Sequence, residues 1–219
     1  MDENGTDMDG GALGNGGEND SPSRSLSRYV AALDSPELEV RQVWRADRMG
    51  RGGDQLPFLD AGFPAVRFSV AIEDYEHQHQ DLRVEGGVKF GDTSDEMDFA
   101  YLAKVTRLNV RALEKLAAAP LPPAAIAKAA VQTFTDIEWA AVAGAANYSV
   151  WRRRTDAPYW EDKPLIADVV ATSARLEGVR GDDWVFGVSS RSAGGTASPI
   201  ASAVPGGAFK PFGAPLADK

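Results

Sequence analysis

Apolar and polar positions change their spacing along the chain near Pro123, and the two halves predict different architectures. In the first half, Ser21-Pro22 reads as a helix start, because a serine hydroxyl caps well and proline tolerates the first helical position. Leu26, Tyr29, Val30 and Leu33 then fall on one helical face. The segment LEVRQVW places Leu38, Val40 and Val43 in imperfect alternation and predicts a strand, broken by Gly50, Gly52 and Gly53. Asp54 is expected to cap a short helix through Phe58 and Leu59 that ends at Gly62. Pro64 to Ala71 is the clearest buried strand of this half. Thr93-x-x-Glu96 reads as a capping box opening a long helix. Its apolar stripe of Met97, Tyr101, Val105, Leu108, Ala112 and Leu116 predicts packing on a sheet. The run AAAPLPP stops that helix and predicts a stiff linker.

Beyond Pro123 the apolar positions alternate in short segments: Ile137 and Trp139, Tyr148 and Val150, Ala174 and Leu176, then Trp184, Phe186 and Val188. Glycine, proline, aspartate and serine clusters separate them, which predicts an antiparallel sandwich. Trp139, Tyr148, Trp184 and Phe186 are expected in its core. Trp151 should face away from Tyr148 and Val150, since strand side chains alternate. With Tyr159 and Trp160, it is a candidate for an exposed contact residue. The stretch RRRTDAPYW fits either contact with a partner or packing against the first half, and the sequence does not choose.

Composition narrows the function classes. Of 219 residues, 43% are hydrophobic and 25% charged, an ordinary globular balance. A formal net charge of -9 repels a phosphate backbone, and Arg152-Arg153-Arg154 reads as a solvated strand edge, so no nucleic-acid partner is expected. Without cysteine there are neither disulfides nor thiolate metal sites. No apolar run approaches the roughly 20 residues that span a bilayer, so no membrane partner is expected. Residues 1–20 carry six acidic and no basic side chains amid abundant glycine, and predict a disordered tail. They also lack the basic start and apolar core of a signal peptide. Residues 206–219 are expected to be flexible.

The stretches RADRMGRGGDQLPFLDAGFPAVRF and EDYEHQHQD resemble metallopeptidase family 28, the dinuclear zinc exopeptidases that include aminopeptidases S and Y. The resemblance extends from about Glu18 to Pro123 and includes GENDSPSR, FAYLAKVTRLN and AAAPLPP. It implies an α/β sandwich around a mostly parallel sheet, of which residues 21–123 would be the C-terminal part. In that family five side chains hold two zinc ions, and a separate glutamate is the general base. The last ligand is a histidine followed four residues later by aspartate, and His77 and Asp81 have that spacing. The resemblance therefore implies a terminal zinc-ligand role for His77, with Tyr75, Asp81, His79 and Asp54 as neighbours of the site. Residues 124–205 resemble a fibronectin type III domain, with Trp184 standing where a tyrosine usually makes the corner hydrogen bond.

This chain departs from the family pattern at several points. The family's aspartate-histidine pair appears as Asp54-Gln55, and Ser69-Val70-Ala71 stands where relatives commonly have Thr-Glu-Pro. Nothing upstream matches the early histidine, the bridging aspartate, the paired glutamates or the further acidic ligand. No catalytic residue is therefore assigned. Apart from the resemblance, two histidines in a polar loop read simply as surface residues.

The reading is a truncated aminopeptidase-like chain that needs a complementing upstream polypeptide to act on a peptide substrate. Alternatives are a noncatalytic scaffold that binds through the sandwich, or an artefactual fragment of a longer enzyme. Family members are commonly exported, and localisation is left open.

Overall fold

A computed structural model gives the fold and describes residues 20–33, 36–43, 52–129 and 131–203. The expected tails at 1–20 and 206–219 lie outside the described residues, apart from Asp20. In the first half, α1 (Pro22–Ala31) begins where the sequence places it, with Ser21 Oγ accepting from Arg24 N at 3.1 Å. The short α2 (Gln55–Asp60) follows Asp54, whose side chain makes no cap bond, and ends before Gly62 in the left-handed region at φ 85°. A two-residue turn at Gly86-Gly87 joins β1 (Arg83–Glu85) to β2 (Val88–Phe90), both glycines having positive φ. The long α3 (Phe99–Ala118) completes this half.

The structure corrects four expectations. Thr93 makes no side-chain cap bond and precedes a single 3-10 turn, Ser94–Glu96. The cap of α3 is Asp98, whose carboxylate accepts from Tyr101 N at 2.9 Å. Residues 64–71 form no strand. They run without ladder partners among the described residues, and Phe68 and Val70 are exposed. A strand forms only when a neighbour takes its backbone donors and acceptors, and none of the described residues does so. Leu38 makes only an isolated bridge, and the segment at 36–43 lies along α1 instead, where Arg24 donates to Val43 O at 2.6 Å. Leu38 and Val40 join Leu26, Val30 and Leu33 against Leu108 and Ala112 of α3. No parallel sheet is present among the described residues, so the αβα layering is not formed by them.

The second half is an antiparallel β-sandwich. One sheet has the order β3 (Ala125–Lys128), β4 (Phe134–Trp139), β7 (Ser173–Glu177). The other has the order β6 (Ile166–Val169), β5 (Asn147–Arg154), β8 (Trp184–Arg191), β9 (Ala201–Ser202). Ile137, Trp139, Tyr148, Val150, Leu176, Phe186 and Val188 form the core between them. Trp139 and Tyr148 meet edge to face at 5.5 Å, and the Tyr148 hydroxyl accepts from Val142 N at 2.9 Å. Trp184 is only half-buried, because it sits at the sheet end with Arg152 and Arg154 stacked over its ring at 4.1 and 5.2 Å.

The outer face of the β5–β8 pair is also covered, and α1 lies against it. Arg28 donates to Pro158 O at 2.6 Å, and the Tyr29 hydroxyl to Ala197 O at 3.3 Å. Arg153, 1% exposed, pairs with Asp20 and donates to Ala157 O at 2.8 Å. The structure thus makes the choice that the sequence leaves open for RRRTDAPYW: it packs against the N-terminal segment. Trp151 and Trp160 are half-buried rather than exposed, and Trp151 Nε1 donates to Ser189 Oγ at 2.9 Å. Only Tyr159 of the three is exposed. Gly187 lets this layer close, since a Cβ there would come within 2.7 Å of the Trp160 ring. The linker is anchored rather than a free spacer, with Ser190 Oγ donating to Leu121 O at 2.7 Å and Pro123 buried.

Candidate functional site

The loop between residue 71 and β1 holds both histidines, and a local turn sets the geometry of one of them. Asp74 is the anchor. One carboxylate oxygen accepts from Glu76 N at 3.1 Å, and the other lies 2.9 Å from His77 Nδ1. A carboxylate can only accept, so the proton of a neutral His77 ring sits on Nδ1 and the lone pair on Nε2. His77 Nε2 is buried and has no hydrogen-bond partner.

A second element closes over the ring. Gly91 N, just past β2, donates to Glu76 O at 2.9 Å. Gly91 adopts φ 109°, and a Cβ there would come within 2.4 Å of the Leu82 side chain, so glycine permits this close approach. That bond brings Lys89 and the 3-10 turn beside the histidine. Glu96 Oε1 lies 3.7 Å from His77 Nε2, and Lys89 Nζ bonds Glu96 at 3.0 Å and Asp95 at 2.5 Å.

The two carboxylates and Lys89 act on the ring in opposite directions. The Asp74 hydrogen bond raises the His77 pKa above the ordinary value, burial opposes this, and Glu96 adds to the rise. The same bond lowers the Asp74 pKa. Lys89 holds Asp95 down at about 2. The ion pair around His77 is therefore fully present below the ordinary imidazole value of about 6.5 and is lost as pH rises through the raised folded value. In an NMR titration the His77 ring is expected to protonate above about 6.5, and Asp74→Asn should bring it down. A parent value at or below the ordinary one would show that the Asp74 contact does not persist in solution.

The other residues marked by the sequence do not converge on this ring. Tyr75 is exposed, and so is His79, which adopts left-handed backbone at φ 52°. Asp81 is exposed, and its backbone carbonyl accepts from Arg83 Nη1 at 3.4 Å. Asp54 is exposed at the start of α2. Sequence reasoning missed Asp74 and Glu96 as the groups facing His77. The D-x-x-H spacing of Asp74 and His77 carries the signal for one, whereas Glu96 was assigned to a capping box.

The buried, unpartnered Nε2 with Nδ1 held by a carboxylate is the arrangement of a metal-ligating histidine. It is one ligand. Among the described residues, no three His, Cys, Asp or Glu side chains converge to hold a metal ion. A zinc site needs about three protein ligands, so the described residues do not make up a zinc centre.

No protein-family model matches the chain. Among solved structures it is similar to an Fn3-like protein from Clostridium thermocellum, at 23% identity and TM-score 0.29, covering 39% of this chain and 91% of that one. A curated protein of Pyrenophora tritici-repentis named "probable zinc metalloprotease" is 34% identical over 212 residues, covering 94% of this chain and 49% of the relative. One of Pyricularia oryzae with the same name is 36% identical over 203 residues, covering 87% and 40%. One of Leptosphaeria maculans is 37% identical over 198 residues, covering 87% and 45%. The chain is thus similar, over most of its length, to proteins named as zinc metalloproteases, and spans less than half the length of each of these three.

Proposed function

We propose that this chain is the part of a zinc-dependent aminopeptidase of the family 28 type that carries the last metal ligand, His77, followed by a fibronectin type III-like module. One observation carries the reading: His77 presents a buried, unpartnered Nε2 while Asp74 fixes Nδ1, in a chain 34–37% identical to proteins named as zinc metalloproteases. Zinc in such an enzyme supplies activated water for peptide-bond hydrolysis. The role of this chain's own residues is narrower. Asp74 orients the ring, and Glu96 and Lys89 set the charge beside it. Residues 21–123 are the peptidase-like part and 124–205 the module. Alone the chain is inactive, because one imidazole does not fix a metal pair against water and substrate. The remaining ligands and the general base come from further polypeptide, and the substrate of the complete enzyme is a peptide.

Metal analysis and NMR test this together. Purified chain is expected to hold well under one tightly bound zinc per molecule and to leave a leucyl-anilide substrate at background hydrolysis. Added zinc should perturb the ring signals of His77 before those of His79, and His77→Ala should abolish the selective effect. Two zinc ions per molecule would contradict the incomplete site. Zinc that perturbs both rings equally would remove the ligand assignment.

A further inference from the structure

The long helix α3 is apolar on two faces, and only one has a partner. Leu108 and Ala112 pack on α1 and the 36–43 segment. On another face Phe99, Leu102, Val110 and Leu113 recur at three, eight and three residues, which on a period of 3.6 lines them up along one stripe. All four are exposed, Phe99 at 61% and Leu113 at 67%. A helix with two apolar faces is ordinarily buried on both. Nearby in sequence, residues 66–72 have no regular secondary structure and no backbone ladder among the described residues, and Ile72 is 89% exposed. The sandwich shows the contrast: from 131 to 203 its only exposed large hydrophobic side chains among the described residues are Val131, Tyr159 and Val170.

We infer that the Phe99–Leu102–Val110–Leu113 stripe of α3 is a docking surface for a second polypeptide segment. The occupant is the portion of the curated relatives' length that this chain does not match. Three facts support that occupant over a second copy of the chain. The relatives carry a matching segment inside proteins of which it makes up 45% and 49%, so the segment has that additional polypeptide as its constant neighbour there. Among the described residues, the exposed large hydrophobic side chains are concentrated between Phe58 and Leu113, while the sandwich closes on itself. Residues 66–72 join no ladder among the described residues, and an added strand pairs through the backbone, a mode independent of side-chain identity. This inference rests on the proposal that the chain works with further polypeptide, but not on zinc binding by His77.

The test is co-expression of the tagged 219-residue chain with the unmatched portion of the Leptosphaeria maculans relative as a separate polypeptide. Stoichiometric co-purification is expected, with new hydrogen-exchange protection at 66–72 and along α3. Leu102→Asp with Leu113→Asp should weaken it at least about tenfold, as charges in the centre of an apolar interface do. These side chains are exposed, so the double variant should keep the parent thermal transition, which excludes misfolding as the cause. Absence of co-purification, or co-purification that survives the double variant, overturns the inference. So does the same protection in a homodimer of the chain alone. His77→Ala should leave co-purification intact, and a parent complex that forms but holds no zinc would count against the metal reading and leave this one standing.

Discussion

Phe186→Ala is expected to lower the stability of the sandwich by about 4 kcal/mol, the range for removing a fully enclosed aromatic ring. Phe186 is 2% exposed and packs among Val150, Val188, Ile137 and Leu176 from both sheets. Its strand β8 is paired on both sides, by β5 and β9, so the backbone has little freedom to collapse into the void. Val150, Ile137 and Val188 are 0% exposed and already in place, which leaves no mobile side chain to refill the space. Denaturant unfolding followed by tryptophan fluorescence measures the change. Ile137→Val supplies the control, with an expected loss of about 1 kcal/mol because the shape is nearly kept. A loss below about 1 kcal/mol for Phe186→Ala would show that the two sheets are not packed as described.

Asp20→Asn is expected to destabilise the packing of α1 on the sandwich by about 3 kcal/mol, because it leaves a buried guanidinium without its counter-charge. Arg153 is 1% exposed, and its ion pair is with Asp20. Ala157 O remains as one acceptor, which keeps the loss at the lower end. Arg28 lies in the same layer, and its pKa falls to about 10, through burial first and then the nearby Arg153 charge. Asp20 therefore offsets two cations, and Asn supplies a dipole where both need an anion. The double variant Asp20→Asn with Arg153→Met should recover most of the loss, since removing both charges leaves nothing buried and unpaired. Hydrogen exchange along α1 and the unfolding midpoint would read the cycle. Equal destabilisation by the single and double variants would mean that the pair is not coupled.

These results would matter for function because α1 is packed on two sides. Leu26, Val30 and Leu33 meet α3, while Arg28 and Tyr29 reach the sandwich. The helix that carries the unpartnered stripe is thereby held in a fixed setting relative to the β-sheet module. Releasing α1 should loosen α3 as well, and with it the proposed docking surface.

Local pattern alone placed α1, the body of α3 and the sandwich strands. Several of the residues that alternate or recur are buried, as with Ile137 and Trp139, Tyr148 and Val150, or Leu108 and Ala112, whereas Met97 and Tyr101 of the stripe predicted for α3 are exposed. Such patterns are legible because burial acts on one face at a time and its period follows from backbone geometry. The resemblance picked out His77, but its environment was not legible in full. Asp74 sits three residues away within one turn, whereas Glu96 arrives only through the Gly91–Glu76 bond.

Tertiary structure decided everything that depends on a partner distant in sequence. The apolar run at 64–71 has strand composition but no strand alongside it among the described residues, and a ladder is a property of two segments. Asp20 and Arg153 are 133 positions apart, and each alone reads as an exposed charge. Sequence pattern records what a side chain prefers; which group satisfies it, over such a separation, is settled only when the chain has folded.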